Sequence, residues 1–501
     1  MTMSPLHRRQ FLISPPGSAA PAGWRRVPLQ NSLELACCPW LELERLPDGN
    51  GGEALLLGIA VNIDPDSPPG LRLGPWSTPE QLARQTYAWS GRWCLIAGGV
   101  VLTDPSGLLG LFLTSSACGQ SVLVSPSLAL LHGLRPDLPL HPRRLGWYGA
   151  NWFPPPGSRI KGVDKLLPDQ ALDLRSGDIH RAERWQPTRF RGMGEAALAA
   201  MLLSSLSCFM RVMAARYDRL VLGLTAGLDS RTLLAAALAS GVEVDCVTHA
   251  VPQISRADRD LPPTIAAKAG VSHRLIRPGR LDPERQRQFQ QHCFGNVADA
   301  DNGLWPRGGY ANLKSGEVLL RGGGFEIGRD RMEDRLRGLD WEQALTEPER
   351  LFTSYDSFGS TRLLGRQAAR WLGWAARGSR AYSLGDHFYR DQRMAGWLSA
   401  VEQGVDLLDG RCVQVLNSAY QHDLMLAATP EARRSGALQH RIIALAAPGL
   451  AAMPVNPALD SRHRRRVQRW ALKLRRWRGE LANLPFDRLS ASLAPLMLLA
   501  P

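Results

Sequence analysis

The stretch Leu222-Gly-Leu-Thr-Ala-Gly-Leu-Asp-Ser-Arg231 gathers small residues, two hydroxyls and one acid into a short bend. Thr225, Ala226 and Gly227 let the backbone pass close to a ligand. The apolar run Arg219–Leu224 reads as a buried strand before the bend, and the Ala/Leu-rich run Arg231–Ser240 reads as a helix after it. Ser230 is the expected cap of that helix. A helix start presents unpaired amides and partial positive charge, which suits a phosphate or pyrophosphate. Asp229 adds a carboxylate where a magnesium ion would bridge the phosphate oxygens. The plainer reading of the same residues is a tight strand-to-helix turn with a capping serine.

The elements that must hold this bend follow from the periodicity around it. Val242–Thr248 reads as a strand, Leu261–Ala269 as a helix and His273–Ile276 as a further strand. Strand–helix–strand–helix–strand predicts a parallel sheet with right-handed crossovers. Before it, Glu195–Arg216 carries Leu198, Leu202, Leu203, Leu206, Phe209 and Met213 at three- and four-residue spacings, the pattern of a helix with one apolar face. Earlier still, short apolar runs alternate with Gly and Pro: Gln10–Ser14, Ala54–Ile63, Trp93–Thr103, Leu108–Thr114, Ser121–Pro126, Gln170–Leu174 and His180–Trp185. They predict an antiparallel, layered domain, with Trp147–Pro156 as a loop. Beyond residue 330 the pattern is mainly helical, and Ser461–Arg478 reads as a basic helix with Trp470 and Trp477 on one side. The expected class is therefore α/β. A layered antiparallel domain spans 1–190, a parallel-sheet domain spans 191–460, and a basic helix and tail span 461–501.

The chain has 501 residues, 44% hydrophobic and 21% charged, which excludes wholesale disorder, a collagen-like repeat and a small disulfide scaffold. Its net charge of +14 is almost all arginine, with lysine at Lys161, Lys165, Lys268, Lys314 and Lys473. This reads as compositional bias more than as a polyanion site, so nucleic acid is not the expected partner. Eight scattered cysteines form no CxxC pair, which points to free thiols in a reducing cytoplasm. No uninterrupted apolar run approaches the ~18 residues of a membrane span, and no signal peptide is evident at the start of the sequence.

The bend resembles the pyrophosphate-binding loop Ser-Gly-Gly-x-Asp-Ser of ATP pyrophosphatases. It is most similar to the asparagine synthetase branch, which includes β-lactam synthetases and lasso-peptide cyclases. Thr225 and Ala226 stand in place of the Ser and the first Gly. The resemblance implies that Leu224, Thr225, Ala226, Gly227, Leu228, Asp229 and Ser230 hold ATP, and that backbone groups of Val247 and Thr248 read the adenine. Asp258, Ile265-Ala266, Gly270 and His273 fall in family order. Leu320-Arg-Gly-Gly-Gly-Phe-Glu-Ile-Gly-Arg329 resembles the glycine-rich loop that carries the second magnesium acid, with Glu326 at the Asp position and Gly322 and Gly324 beside the nucleotide. Arg393-Met394, Asp406-Leu-Leu-Asp409, Pro430-Glu-Ala-Arg433 and Ile442–Pro448 resemble later family segments. In the front half, Trp93-Cys-Leu-Ile, Asp104-Pro-Ser-Gly107, Leu111-Phe112, Val124-Ser-Pro-Ser127, Gly162 to Pro168 and Arg184-Trp-Gln-Pro187 resemble a glutamine-amidotransferase layer of the N-terminal-nucleophile type.

Three departures shape what the resemblance implies. Thr2 stands where the family has its nucleophilic Cys, the first strand starts far downstream of it, and the glutamine-binding Arg-Gly-Pro and Asn-Gly-Glu pieces are missing. Glutaminase activity is therefore not expected. Gly323 stands where asparagine synthetases carry Glu and β-lactam synthetases carry Tyr, so no general base is present there. The expected late lysine has only Lys473 as a candidate, and Arg329 is an alternative source of positive charge. The implied function is ATP-dependent amide-bond formation. A carboxylate of a small molecule or peptide would be adenylated with ATP and Mg2+, and an amine would then attack. Asp229, Glu326 and Arg329 are the catalytic candidates, Asp229 and Glu326 the metal ligands. A nucleotide-binding scaffold without turnover is the alternative, and a tRNA-modifying ATP pyrophosphatase a lesser one. A homodimer is left open.

Overall fold

The computed structural model describes residues 6–67, 70–119, 121–142, 150–250, 254–277, 282–297, 313–352 and 361–460. Thr2, Trp147, Lys473 and the expected basic helix and tail over 461–501 lie outside them. The chain is α/β, with two antiparallel sheets in its front half and one parallel sheet behind them.

The front half contributes β1 (Phe11–Ser14), β2 (Arg25–Pro28), β3 (Glu34–Cys37), β4 (Leu43–Pro47), β5 (Glu53–Asn62), β6 (Trp89–Ala97), β7 (Val100–Thr103), β8 (Phe112–Ser115), β9 (Val122–Ser125), β10 (Asp164–Lys165), β11 (Gln170–Asp173) and β12 (Ile179–Arg181). They form one sheet in the order β10-β8-β9-β1-β3-β2 and another in the order β12-β11-β7-β6-β5-β4. Side chains alternate between faces along a strand. Leu55 and Leu57 of β5 and Cys94 and Ile96 of β6 meet Ile13 and Leu35 of the other sheet, while Leu56, Trp93 and Leu95 pack outward under Leu82 and Ala83 of the helix Pro79–Gln85. Both faces are covered, which is why β5 and β6 read as unbroken apolar runs. The expected single strand Trp93–Thr103 is instead a hairpin. Gly98 and Gly99 both adopt positive φ, +53° and +83°, and Ala97 pairs with Val100 across them. That is the backbone a two-residue turn between twisted strands requires.

The rear half holds β13 (Arg219–Gly223), β14 (Asp245–His249), β15 (His273–Ile276), β16 (Glu317–Arg321) and β17 (Arg411–Gln414), all parallel, in the order β15-β14-β13-β16-β17. From β13 the chain winds outward through the helices Leu228–Ser240 and Arg256–Ala269 to β14 and β15, then returns to the other side of β13 with β16 and β17. The winding direction reverses between β13 and β16. In open α/β sheets a crevice opens at that switch, beyond the carboxyl ends of the two strands. The helix Glu195–Arg216 is long and apolar enough to cross a membrane by length and composition. Its Leu198, Leu202, Leu206, Phe209 and Met213 are fully buried in the core shared with β13 and the helix Leu228–Ser240.

Buried polar contacts join the two halves. Arg92 on β6 makes a two-pronged pair with Asp406, at 2.6 and 2.8 Å. Ser90 Oγ donates to the Val415 carbonyl at 2.7 Å, and Tyr87 donates to Asp423 at 2.7 Å. The Lys165 ammonium, fully buried, donates to Ser399 Oγ at 2.8 Å.

Candidate nucleotide site at the sheet switch point

The bend begins where β13 ends. The Leu224 amide donates to the Val247 carbonyl (2.8 Å), and Thr248 Oγ1 donates back to the Leu224 carbonyl (2.7 Å) while meeting His273 Nε2 at 2.9 Å. Val247 and Thr248 are buried. The Val247 carbonyl, one of the backbone groups expected to read an adenine, is thus engaged by Leu224, and the Thr248 hydroxyl braces the bend beside it. Burial lowers the His273 pKa.

The helix starts three residues earlier than the sequence suggests, at Leu228. Gly227 occupies the N-cap in an extended conformation and makes no side-chain cap. Ser230 is therefore not the cap. It sits in the first turn, and its hydroxyl accepts from the Thr225 amide at 3.0 Å and lies 3.1 Å from Thr225 Oγ1. Gly227 N donates to Thr225 Oγ1 (3.1 Å), and Ala226 N donates to Asp258 Oδ1 (3.0 Å). The bend thus holds three of its own amides on protein oxygens. The first-turn amides of the helix stay outside its internal ladder and carry the positive end of its dipole. Ala226 is absent from the residues with positive φ among those described, so its methyl group is tolerated where the family carries Gly.

Arg231 was not legible as a site residue. Its fully buried guanidinium donates to the carbonyls of Leu450 (3.3 Å), Met453 (2.8 Å), Pro454 (3.0 Å) and Ala226 (3.3 Å). It ties the segment 450–454 to the bend, and the Asn456 amide adds a bond to the Ala226 carbonyl at 3.1 Å. One signal was available: a cation in the first turn opposes the helix dipole, so it needs acceptors elsewhere.

Across the crevice, β16 leads into a 3-10 turn, Gly323–Arg329. Gly324 is buried, and a β-carbon there would overlap the Leu416 carbonyl oxygen, so its glycine serves backbone packing against the segment after β17. Gly322 is half-buried beside Phe325. Gly323 is pinned on both sides: its amide donates to Gln414 Oε1 (3.0 Å), and its carbonyl accepts from the Tyr389 hydroxyl (3.2 Å). Behind Gln414, Glu402 Oε1 accepts from Gln414 Nε2 (2.9 Å) and from Arg321 (2.7 Å). His249, at the end of β14, is held down to about 4 by burial and by the charge of Arg321.

In a 3-10 helix, residues three apart eclipse, one turn of roughly 6 Å along the axis. Glu326 and Arg329 therefore share one face. The burial pattern agrees, with both half-buried while Phe325, Ile327 and Gly328 are buried. Arg329 Nη1 lies 3.1 Å from both carboxylate oxygens of Asp229, an ion pair that spans the crevice. The structure thus joins Asp229 to the turn that carries Glu326, through the Arg329 guanidinium. The magnesium expected between the two acids does not fit this donor set. The Asp229 carboxylate already carries the Arg329 guanidinium on both of its oxygens.

No protein-family model matches the chain, and no curated protein is similar to it. Among solved structures, the NMN synthetase of Francisella tularensis is similar over 40% of this chain and 94% of that one, at 12% identity and a TM-score of 0.19. So distant a likeness leaves the crevice between β13 and β16 to be read from its own residues, and the resemblance to asparagine synthetases to rest on the motifs that carry it.

Proposed function

We propose that the chain binds ATP in the crevice beyond β13 and β16 and uses it to activate a carboxylate for attack by an amine. The observation that carries this reading is the placement of an uncapped helix start and the Thr225–Ser230 bend opposite Arg329, at the switch point of a parallel sheet. When bound, ATP would supply an α-phosphorus for the carboxylate oxygen, with pyrophosphate leaving and AMP released on amide formation. The chain's own part is orientation and charge. The first-turn amides and the hydroxyls of Thr225 and Ser230 face the diphosphate, and Arg329 meets its negative charge. Asp229 is a positioning residue that fixes the guanidinium.

Two observations favour a second reading, nucleotide binding without turnover. Gly323 carries no base and is filled in by Gln414 and Tyr389, and three amides of the bend are already held on protein oxygens. Pyrophosphate release from ATP across a panel of carboxylates separates the two. Release that depends on one carboxylate supports the ligase; saturable ATP binding with no release for any of them supports the second reading.

A further inference from the structure

We infer that this site holds its nucleotide without a dedicated magnesium ion, the Arg329 guanidinium on Asp229 serving as the resident cation. The inference rests on the ATP-binding reading above and concerns how that site neutralises phosphate charge. A magnesium ion in such a crevice is held by one or two carboxylates together with the phosphates, at short and nearly octahedral distances. Here both oxygens of Asp229 face the same Arg329 nitrogen at 3.1 Å. A divalent ion on that carboxylate would have to break the pair and then sit beside a displaced positive charge.

Displacement is opposed by the surroundings. The Arg329 side chain is 12% exposed and that of Asp229 23%, so the pair is shielded from solvent on most sides. The turn carrying Arg329 is clamped at both ends. Ile327 accepts from Arg433, which is itself paired with buried Asp386, and Asp330, next in the chain, holds Arg434 at 2.8 Å. Gly328 packs so closely on Met425 that the turn has little room to recede. The Arg329 Nε is buried without a hydrogen-bond partner, so this guanidinium keeps donor capacity beyond the Asp229 pair. Guanidinium is matched to phosphate oxygens through several fixed donors, and its charge is permanent.

The test is ATP binding by calorimetry to the full chain, in excess EDTA and again in excess magnesium chloride. The expected result for the wild type is an affinity that changes less than about threefold between the two, with Arg329→Met weakened about tenfold or more in EDTA and rescued by magnesium, since the guanidinium then no longer competes with a metal for Asp229. Wild-type binding that requires magnesium overturns the resident-cation inference alone. Absence of binding in both conditions overturns the nucleotide reading itself. If Arg329→Met melts early, Arg329→Lys replaces it: a retained charge should keep binding independent of magnesium, and a magnesium requirement there would overturn the inference that a resident positive charge replaces the metal.

Discussion

Asp229 is the residue on which the chemistry turns, and its partner changes what a substitution there should do. With Arg329 on its carboxylate, Asp229→Ala removes the group that aims the guanidinium but leaves the positive charge in the crevice. ATP binding should persist in that variant, while carboxylate-dependent pyrophosphate release falls by about 100-fold, the scale of a misplacement near 1 Å. A parallel loss of binding would mean that Asp229 holds the nucleotide directly. The bend at 225–230 was legible because small side chains and hydroxyls fall between an apolar strand and an Ala/Leu-rich helix. Ser230 read as a cap because a hydroxyl at a helix start ordinarily is one. It is displaced from that role because the helix begins at Leu228, and its hydroxyl closes the bend instead. The contacts Ala226–Asp258 and Arg231 to 450–454 join distant parts of the chain, and no local pattern announces them.

At the scale of elements, the legible strands of the parallel sheet include two buried within it, β13 and β14, and one half-buried at its edge, β15. Arg219–Gly223, Asp245–His249 and His273–Ile276 sit within a residue or a few of the apolar runs that announced them. β2 was missed because Arg25–Pro28 is mostly exposed, with no alternation to read, and β17 because Arg-Cys-Val-Gln is short and half polar. The helix Arg256–Ala269 begins well before Leu261 because Ser255 caps it, accepting from the Asp258 amide at 3.0 Å. The Tyr389–Leu398 segment is a π-helix, a form without a sequence period to recognise, and it brings Tyr389 to Gly323. The turn after β16 gives a direct test of element packing. Gly324→Ala should destabilise the fold by about 1–3 kcal/mol in chemical denaturation, because its methyl meets the Leu416 backbone. Gly223→Ala, where a β-carbon meets open space, should leave stability nearly unchanged. Equal effects would mean that the turn does not pack against the segment after β17 as described.

For the whole molecule, the two halves meet through ionisable groups taken out of water, and this makes stability depend on pH. Burial lowers His292 and His422 to about 3, and His249 to about 4, from 6.5. Each is neutral when folded and takes up a proton on unfolding once the pH is below 6.5. Its stabilising share is complete above 6.5 and declines as pH falls toward the folded value, by up to about 1.4 kcal/mol per pH unit. Asp423, raised to about 6 by burial, works in the opposite sense between 6 and 3.8. His292 lies where the chain before β1 meets the rear half: it accepts from the His7 amide at 3.1 Å and contacts Gln10 at 3.1 Å. His292→Gln should therefore flatten the fall of Tm between pH 6.5 and 4. A variant with the wild-type slope would show that His292 does not carry this dependence.

The claim that the whole account rests on is that the bend after β13 and the turn after β16 form one nucleotide site. Hydrogen–deuterium exchange with and without ATP addresses both segments at once. The account predicts that saturating ATP slows exchange at 224–230 and at 323–329 together. ATP bound with neither segment protected, or with protection confined to another part of the chain, would contradict it.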